Sequence, residues 1–252
     1  MGAHGRALQE APRLKLSIVV PAFNEERLLA GTLAAIRSAA AVFDAEDWEL
    51  IVCDNNSTDR TAEIARAAGA KVVFEPHNQI SRARNRGASA ASGEWLLFVD
   101  ADSTPSRELF ADLKEAMESG RAIGGGATVA ADEDVLSVRA ALAFWNAMSR
   151  GLRWAAGAFV YCEAAAFRSV GGFSEELYAS EELELSGRLK RVARERGREF
   201  RILHRHPLHT SARKLHLYGW RELAPVFGRF LLNPRRMLRS AKACSPWYDG
   251  RR

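Results

Sequence analysis

No uninterrupted apolar run in this chain approaches the roughly 18 residues that a membrane-spanning helix requires, so its 252 residues read as a soluble protein. The opening, Met1 to Leu14, mixes charged and small residues without an apolar centre, which argues for a short flexible lead-in rather than a signal peptide. Cysteine is scarce. Cys53, Cys162 and Cys244 are odd in number, far apart and free of any C-x-x-C pair, which disfavours a disulfide framework and a zinc site and points to reduced thiols in a cytoplasmic protein. Internal repeats, low-complexity tracts and long linkers are missing. So is a phosphate loop: Gly124-Gly125-Gly126 has neither the spacing nor the terminal Lys-Ser/Thr of a P-loop, and does not match G-x-G-x-x-G. These glycines either let backbone and acceptor approach closely or relieve crowding.

What is present is a globular composition, 47% apolar and 27% charged, in a chain long enough for a sizeable core. The net charge of +5 conceals an asymmetry: 27 acidic against 18 basic side chains through Gly187, then 18 basic against 4 acidic from Arg188 onward. A basic tail on an acidic body calls for an anionic partner. In the tail, Leu217, Tyr218, Trp220, Phe227 and Phe230 lie between Arg213-Lys214 and Arg235-Arg236, the composition of an interfacial helix interrupted by Pro225 and Gly228. Two readings stay open. One is docking on the anionic cytoplasmic face of a membrane; the other is an extension packed on the body or on the second subunit of a homodimer. Nucleic acid is not favoured, because these Arg residues are not interleaved with aromatics in an RNA-reading motif.

Along the body, short β-rich runs alternate with longer helical patterns. Strands are expected at Lys15–Val20, stopped by Pro21, and at Trp48–Cys53, Lys71–Phe74 and Trp95–Val99. Helices are expected over Leu28–Ala41, Arg60–Ala68, Arg82–Ser92 and Arg107–Ser119, the last opened by Pro105-Ser106 and closed by Gly120. This alternation implies an α/β fold with a mainly parallel sheet covered by helices on both faces. Ligands then lie outside the carboxyl ends of the strands, where residues 21–26, 54–59 and 100–104 all fall. Beyond Gly120 a helix is expected over Val135–Arg150, a strand at Gly157–Tyr161, a turn at Gly171-Gly172-Phe173, a basic helix over Glu181–Arg196 and a strand at Phe200–Leu203.

The apolar run Trp95–Val99 ends in Asp100-Ala101-Asp102, two carboxylates at the rim of a sheet. Like charges that close favour a hard divalent ion, Mg²⁺ or Mn²⁺, which completes its shell with phosphate oxygens. Ala22 to Glu25, beyond Pro21, can meet a planar base and ribose; an ordinary turn capped by Asn24 is the alternative. Asp54 can accept from a base N–H, with Ser57, Thr58 and Asp59 left to cap the next helix. Arg84 can pair with a diphosphate, as can Arg82 or Arg86. Ser180 is placed to cap the helix that opens with Glu181 and Glu182, whose position also suits the helix dipole.

Together these segments resemble the family-2 glycosyltransferases, which have the GT-A fold. Ser17-Ile18-Val19-Val20-Pro21-Ala22-Phe23-Asn24-Glu25-Glu26 is similar to the family's opening strand and nucleotide loop. Asp54-Asn55-Asn56-Ser57-Thr58-Asp59 and Ala83-Arg84-Asn85-Arg86-Gly87 are similar to its next two motifs, in order. Asp100-x-Asp102 falls at its metal motif, and Gly171-Gly172-Phe173 with Ser180-Glu181-Glu182 at its acceptor side. The resemblance covers residues 15–191. It implies a catalytic domain over 15–204, after the lead-in 1–14 and before a basic, partly amphipathic helical extension over 205–252. It implies metal-dependent, inverting transfer of a sugar from a nucleoside diphosphate donor, with UDP favoured over GDP or dTDP, to an acceptor hydroxyl that can be lipid-linked. In that scheme Pro21, Ala22, Asn24, Glu25, Asp54, Arg84 and Asp100 bind nucleotide, and Asp102 and Asp100 hold Mn²⁺ or Mg²⁺. Gly172 and Phe173 face the acceptor, with core packing of Phe173 an equal alternative, and Glu182 is the base and Glu181 its neighbour. The family pattern here is usually Glu-Asp, so Glu-Glu leaves open which of the two is the base. His204, His206 and His209 alternate downstream, and His209, in His209-Thr210-Ser211-Ala212-Arg213, resembles a segment that returns to the metal in one branch of the family. The rival readings are a sugar-phosphate nucleotidyltransferase, which would call for a Gly-rich basic loop after the first strand, and a non-catalytic nucleotide- or nucleic-acid-binding protein.

Overall fold

The computed structural model describes residues 14–131 and 136–210. Most of the lead-in, Cys244 and the apolar, basic segment beyond Thr210 lie outside them. The chain runs β1 (Leu16–Ala22), α1 (Leu29–Ala40), β2 (Trp48–Asp54), α2 (Thr61–Ala67), β3 (Lys71–Phe74), α3 (Ile80–Ser89), β4 (Trp95–Val99), β5 (Ser103–Thr104) and α4 (Arg107–Glu118). It continues through β6 (Ala122–Ala131), α5 (Leu136–Leu152), β7 (Phe159–Glu163), α6 (Ala164–Ser169), α7 (Glu181–Glu195) and β8 (Glu199–Thr210).

The strands form one sheet in the order β3-β2-β1-β4-β7-β6-β8-β5. β3, β2, β1 and β4 are parallel, as the strand–helix alternation predicts. β7 is antiparallel to both β4 and β6, and β5 to β8, so the second half is mixed. Side chains alternate across the sheet with the two-residue period of a strand. Ile18, Val20, Leu97 and Val99 join one core with Leu33, Ile36 and Phe110 of α1 and α4. Val19, Leu96 and Phe98 join the other with Phe167, Phe173, Leu185 and Leu189.

Two expectations about β1 and its sheet are revised. Pro21 does not stop β1, which pairs with β2 through Pro21↔Cys53 and Ala22↔Asp54. The ladder to β4 has already ended at Val19↔Phe98, so a residue without an N–H fits there. β8 runs on past the strand expected at Phe200–Leu203 to Thr210, pairing with β6 as far as Ala131↔Thr210 with two register shifts along the way.

The glycine run sits mid-strand in β6, fully buried. A Cβ on Gly125 would lie 1.7 Å from the Arg201 carbonyl oxygen, and one on Gly124 would lie 2.7 Å from that of Tyr161. Close strand packing explains the run.

Candidate active site

The carboxyl ends of β1, β2 and β4 form one rim, and three loops are laced together there. Asn24, at φ 53°, donates its N–H to Ser57 Oγ (3.0 Å) and accepts the Thr58 N–H at Oδ1 (2.8 Å). Glu25 is buried and donates its N–H to Thr61 Oγ1 (2.8 Å). Asn24 therefore ties the β1 loop to the β2 loop rather than capping α1, whose cap position is Leu28. Asp54, the last residue of β2, is buried and accepts the Ser57 N–H (3.0 Å). Asn55 extends the lacing, donating to the Glu75 carbonyl (3.2 Å) and accepting the Gln79 N–H (3.0 Å). Pro21 and Ala22, both buried, pair with Cys53 and Asp54 at the end of β1.

Arg84 organises the centre of the rim. A Cβ on Gly87 would come within 2.3 Å of Val19 Cγ1, so this glycine lets α3 lie flat on β1 and carries Arg84 inward. The guanidinium is 1% exposed. It donates to Glu181 Oε1 (2.8 Å), Asp100 Oδ1 (2.9 Å) and the Gly157 carbonyl (2.9 Å), and lies 5.2 Å from the centre of the Phe173 ring. Burial alone would lower its pKa, but Asp100, Glu181 and Glu182 outweigh burial and raise it. The group expected to meet a diphosphate is thus engaged by carboxylates. Of its neighbours, Arg82 pairs with Glu175 (3.1 Å), and Arg86 donates to the Phe74 carbonyl (3.3 Å).

The two glutamates separate in role. Glu181 is buried against Arg84. Glu182, one residue on and half-buried, packs beside Gly157, where an added Cβ would be 3.4 Å from both Glu182 Cδ and Arg84 Nη2. Burial, then the Glu181 charge, pushes the Glu182 carboxyl up to about 8. Burial raises Glu181 as well, against the pull of Arg84. Ser180 is not a side-chain cap: it lies at φ 61°, ψ 20° without a capping hydrogen bond, and α7 starts through its carbonyl, which accepts the Leu183 N–H (3.1 Å).

On the acceptor side, Phe173 is 1% exposed and packs edge-on to Phe98 (4.9 Å between ring centres) and against Phe167 (5.6 Å). Of the two readings of this ring, near a sugar face or packed in the core, the structure shows the second: its apolar area goes to the core and under Arg84. Gly172, at φ 70°, turns the chain where a Cβ would strike Asn85 Oδ1 at 2.7 Å. Asn85 holds that turn from both sides, accepting the Phe173 N–H and donating to its carbonyl (2.9 Å each). The roles of Asn85, Gln79 and Gly157 escaped the sequence reading. Asn85 stood inside a recognisable motif, whereas Gln79, which donates to the carbonyls of Glu175 and Leu177, stood in none.

Asp100 and Asp102 follow β4 directly, both half-buried, with Asp100 held by Arg84. β5 then pairs with β8 through Thr104↔His209 and Ser103↔Thr210, so His209 lies on the strand alongside the motif. His206 meets Asp112 instead (3.1 Å), and His204 the Ile202 carbonyl (3.3 Å). Among the described residues no group of three or more His, Cys, Asp or Glu side chains could hold a metal ion by itself. A pair of hard carboxylates at an open rim fits Mg²⁺ or Mn²⁺ with the rest of the shell supplied by phosphate oxygens.

The overall architecture has known counterparts. A mannosyltransferase of Pyrobaculum calidifontis, solved with GDP-Man and Mn²⁺, aligns over 92% of this chain and 65% of its own at a TM-score of 0.67 and 17% identity. The S. aureus TarS fragment 1–349, solved with UDP-GlcNAc, aligns over 79% of this chain and 58% of its own at 0.59 and 20%. At such identities the likeness is one of fold, and the fold is the GT-A type. In sequence, an uncharacterized glycosyltransferase of Mycobacterium tuberculosis is 37% identical over 89 residues, 35% of this chain and 37% of that protein. The probable glycosyltransferase YdaM of Bacillus subtilis is 28% identical over 162 residues, 58% of this chain and 38% of that protein. The chain thus spans less than two-fifths of the length of these curated relatives. Residues 17–171, more than half of the chain, match glycosyl transferase family 2. They contain the laced loops, Arg84, the two rim aspartates and the start of the Gly171-Gly172 turn, and the chain belongs to that family.

Proposed function

We propose that this glycosyltransferase moves a sugar from a nucleoside diphosphate donor to an acceptor hydroxyl with inversion, in a reaction that depends on Mn²⁺ or Mg²⁺. The observation that carries the reading is the Arg84 bridge: it takes Asp100 and Glu181 and leaves Glu182 beside the rim, where burial and the Glu181 charge raise its carboxyl to about 8. A base is most effective with a pKa near the working pH. Glu182 takes the acceptor proton as the acceptor oxygen bonds to the anomeric carbon and the bond from that carbon to the diphosphate breaks on the opposite face. Glu181 acts as a positioning residue through Arg84.

Asp102 and Asp100 would hold the ion, with His209 the candidate for a further ligand. A bound Mn²⁺ or Mg²⁺ would neutralise charge on the departing diphosphate. Mn²⁺ beside GDP-Man in the Pyrobaculum enzyme supports this assignment. Asp54 is assigned to the base, and Pro21, Ala22, Asn24 and Glu25 to the wall of the nucleoside crevice. Gly172 shapes the acceptor side through its turn.

UDP is the favoured nucleotide, supported by the complex of TarS with UDP-GlcNAc, although the GDP-Man complex keeps GDP in contention. Among the described residues no helix is long and apolar enough to cross a membrane. A lipid-linked acceptor reached from an anionic membrane surface remains part of the proposal, on the composition of the tail. Isothermal titration with UDP, GDP and dTDP, with and without Mn²⁺, tests the core reading. Metal-dependent binding of one of them is expected. Failure of all three to bind with either ion would refute it.

A further inference from the structure

A second cluster of charge lies away from the carboxylate rim. Between the end of α5, the second half of α7 and the start of β8 is a cavity of about 180 Å³, lined by Leu152, Arg153, Lys190, Arg194, Arg198 and Phe200 among others. Lys190 is eight residues along α7 from Glu182, or about 12 Å at the helical rise of roughly 1.5 Å per residue. Of the four cations, Arg198 is compensated by Glu163 at 2.6 Å. Lys190 donates to the Leu152 carbonyl at the end of α5 (2.9 Å). Among the described residues, Arg153 and Arg194 have no acidic partner within ion-pair distance.

The backbone that presents Arg153 is unusual. Trp154 donates its N–H to the Ser149 carbonyl (3.0 Å), closing the end of α5 in the six-to-one pattern of a Schellman motif. Arg153 occupies the left-handed position of that motif, at φ 52°. Glycine is the residue this position ordinarily selects, because a side chain there crowds the carbonyl. An arginine held in that conformation, exposed beside Lys190 and Arg194 on a concave surface, adds a third cation where an anion would be attracted.

We propose that this cavity is a phosphate-binding site, separate from the carboxylate rim, in which Arg153, Lys190 and Arg194 hold one phosphate group and half-exposed Leu152 lies against the organic part of the ligand. Charge-assisted bonds from guanidinium and ammonium groups suit phosphate oxygens. At about 180 Å³ the cavity is large enough for a phosphate group. Lys190 has its pKa lowered by burial and then by Arg194 and Arg153, the electrostatic sign of cations converging without a counter-ion. Arg198, which also lines the cavity, has a buried Nε without a hydrogen-bond partner among the described residues. The phosphate can belong to a soluble phosphorylated metabolite or to the headgroup of an anionic lipid, which bring the same chemistry to the site.

The test uses the full chain without divalent metal, comparing wild type with Arg153→Gly/Arg194→Gln. Glycine suits the left-handed position, so the variant is expected to melt at or above the wild-type temperature, and a loss of affinity is then not a loss of fold. One arm titrates inorganic phosphate calorimetrically; the other follows flotation with phosphatidylglycerol vesicles against phosphatidylcholine vesicles. At least a tenfold loss of affinity in the first arm supports a soluble ligand, and the same loss confined to vesicles supports a lipid headgroup. Unchanged affinity in both arms overturns the proposal and assigns any anion binding to the basic tail or the rim. Because the readout needs neither nucleotide nor turnover, its failure leaves the catalytic reading untouched.

Discussion

Replacing Arg84 by methionine removes the one cation that Asp100 and Glu181 share and leaves Glu182 beside them. Breaking a buried ion pair by deleting one partner costs about 3–5 kcal/mol, because the remaining charge is left without compensation. For a body of this size each kcal/mol moves the melting temperature by about 2–4 °C, so a drop of about 6–20 °C is expected near pH 8. The loss should depend on pH. Without Arg84 the folded-state pKa values of Glu181 and Glu182 rise further above those of the unfolded chain. A carboxyl with a raised folded pKa favours the native state at low pH and costs stability as pH climbs from the unfolded value toward the folded one. The destabilisation relative to wild type should therefore grow from pH 5 to pH 8, by about 1.4 kcal/mol per pH unit for each proton that the folded variant holds and the folded wild type has already released. Arg84→Lys restores a charge without the fork that reaches both partners, so it should recover only part of the stability. Urea unfolding of the three proteins at pH 5.5 and 8 measures this. A methionine variant as stable as wild type at pH 8, or one whose loss ignores pH, would refute the view that Arg84 holds the rim together.

Four further outcomes are expected. Glu182→Gln should cut turnover by about two to four orders of magnitude, the scale of general base catalysis, while stability at pH 8.5 holds or improves because a carboxyl raised to about 8 is no longer ionised in place; a stable variant with full turnover would move the base elsewhere. Asp102→Asn should abolish Mn²⁺-dependent nucleotide binding in calorimetry with little change in melting temperature, and wild-type turnover in that variant would remove Asp102 from the metal site. Asp54→Ala should weaken nucleotide binding by about 1.5–3 kcal/mol, the worth of a hydrogen bond to a charged group; unchanged affinity with early melting would make Asp54 only the acceptor for the Ser57 N–H. Gly87→Ala should destabilise by about 1–3 kcal/mol through overpacking against Val19, read by thermal melting, and a neutral result would show that α3 can lift off β1.

The first half of the fold was legible because each signal was local. The β-rich run and the helix after it could be read at β1–α1, β2–α2 and β4–α4, since period and turn chemistry act within a few residues. Pairing was not local. β7 running antiparallel between β4 and β6 depends on residues some 60 positions apart in sequence, and β6 hid its identity because three glycines look like a loop until Arg201 and Tyr161 are seen crossing them. In the site, motif order placed Asp54, Arg84, Asp100 and the two glutamates on one rim, but their roles needed partners. Arg84 read as a phosphate ligand because arginine pairs with any anion. Phe173 read as a sugar platform because aromatic rings serve both stacking and packing, and only its contacts with Phe98 and Phe167 distinguish them.

The Glu-Glu pair shows how an ambiguity in sequence is divided by geometry. Successive helix residues point about 100° apart, and of the two it is Glu181 that makes the hydrogen bond to the guanidinium. Arg84, fixed by Gly87 on β1 and by the Gly157 carbonyl, takes Glu181. Glu182 is then turned toward Gly157, where burial and the Glu181 charge both oppose its ionisation. Glu181 is given to Arg84, while its neighbour can hold a proton near neutral pH and release it as the pH rises through about 8. A shorter aspartate at position 182 would alter the reach of that base but not this division, since the sorting is done by Arg84 at position 181. Glu182→Asp should accordingly lower turnover while leaving the stability of the Arg84 bridge intact, whereas Glu181→Asp, which pulls a carboxylate back from Arg84, should disturb both.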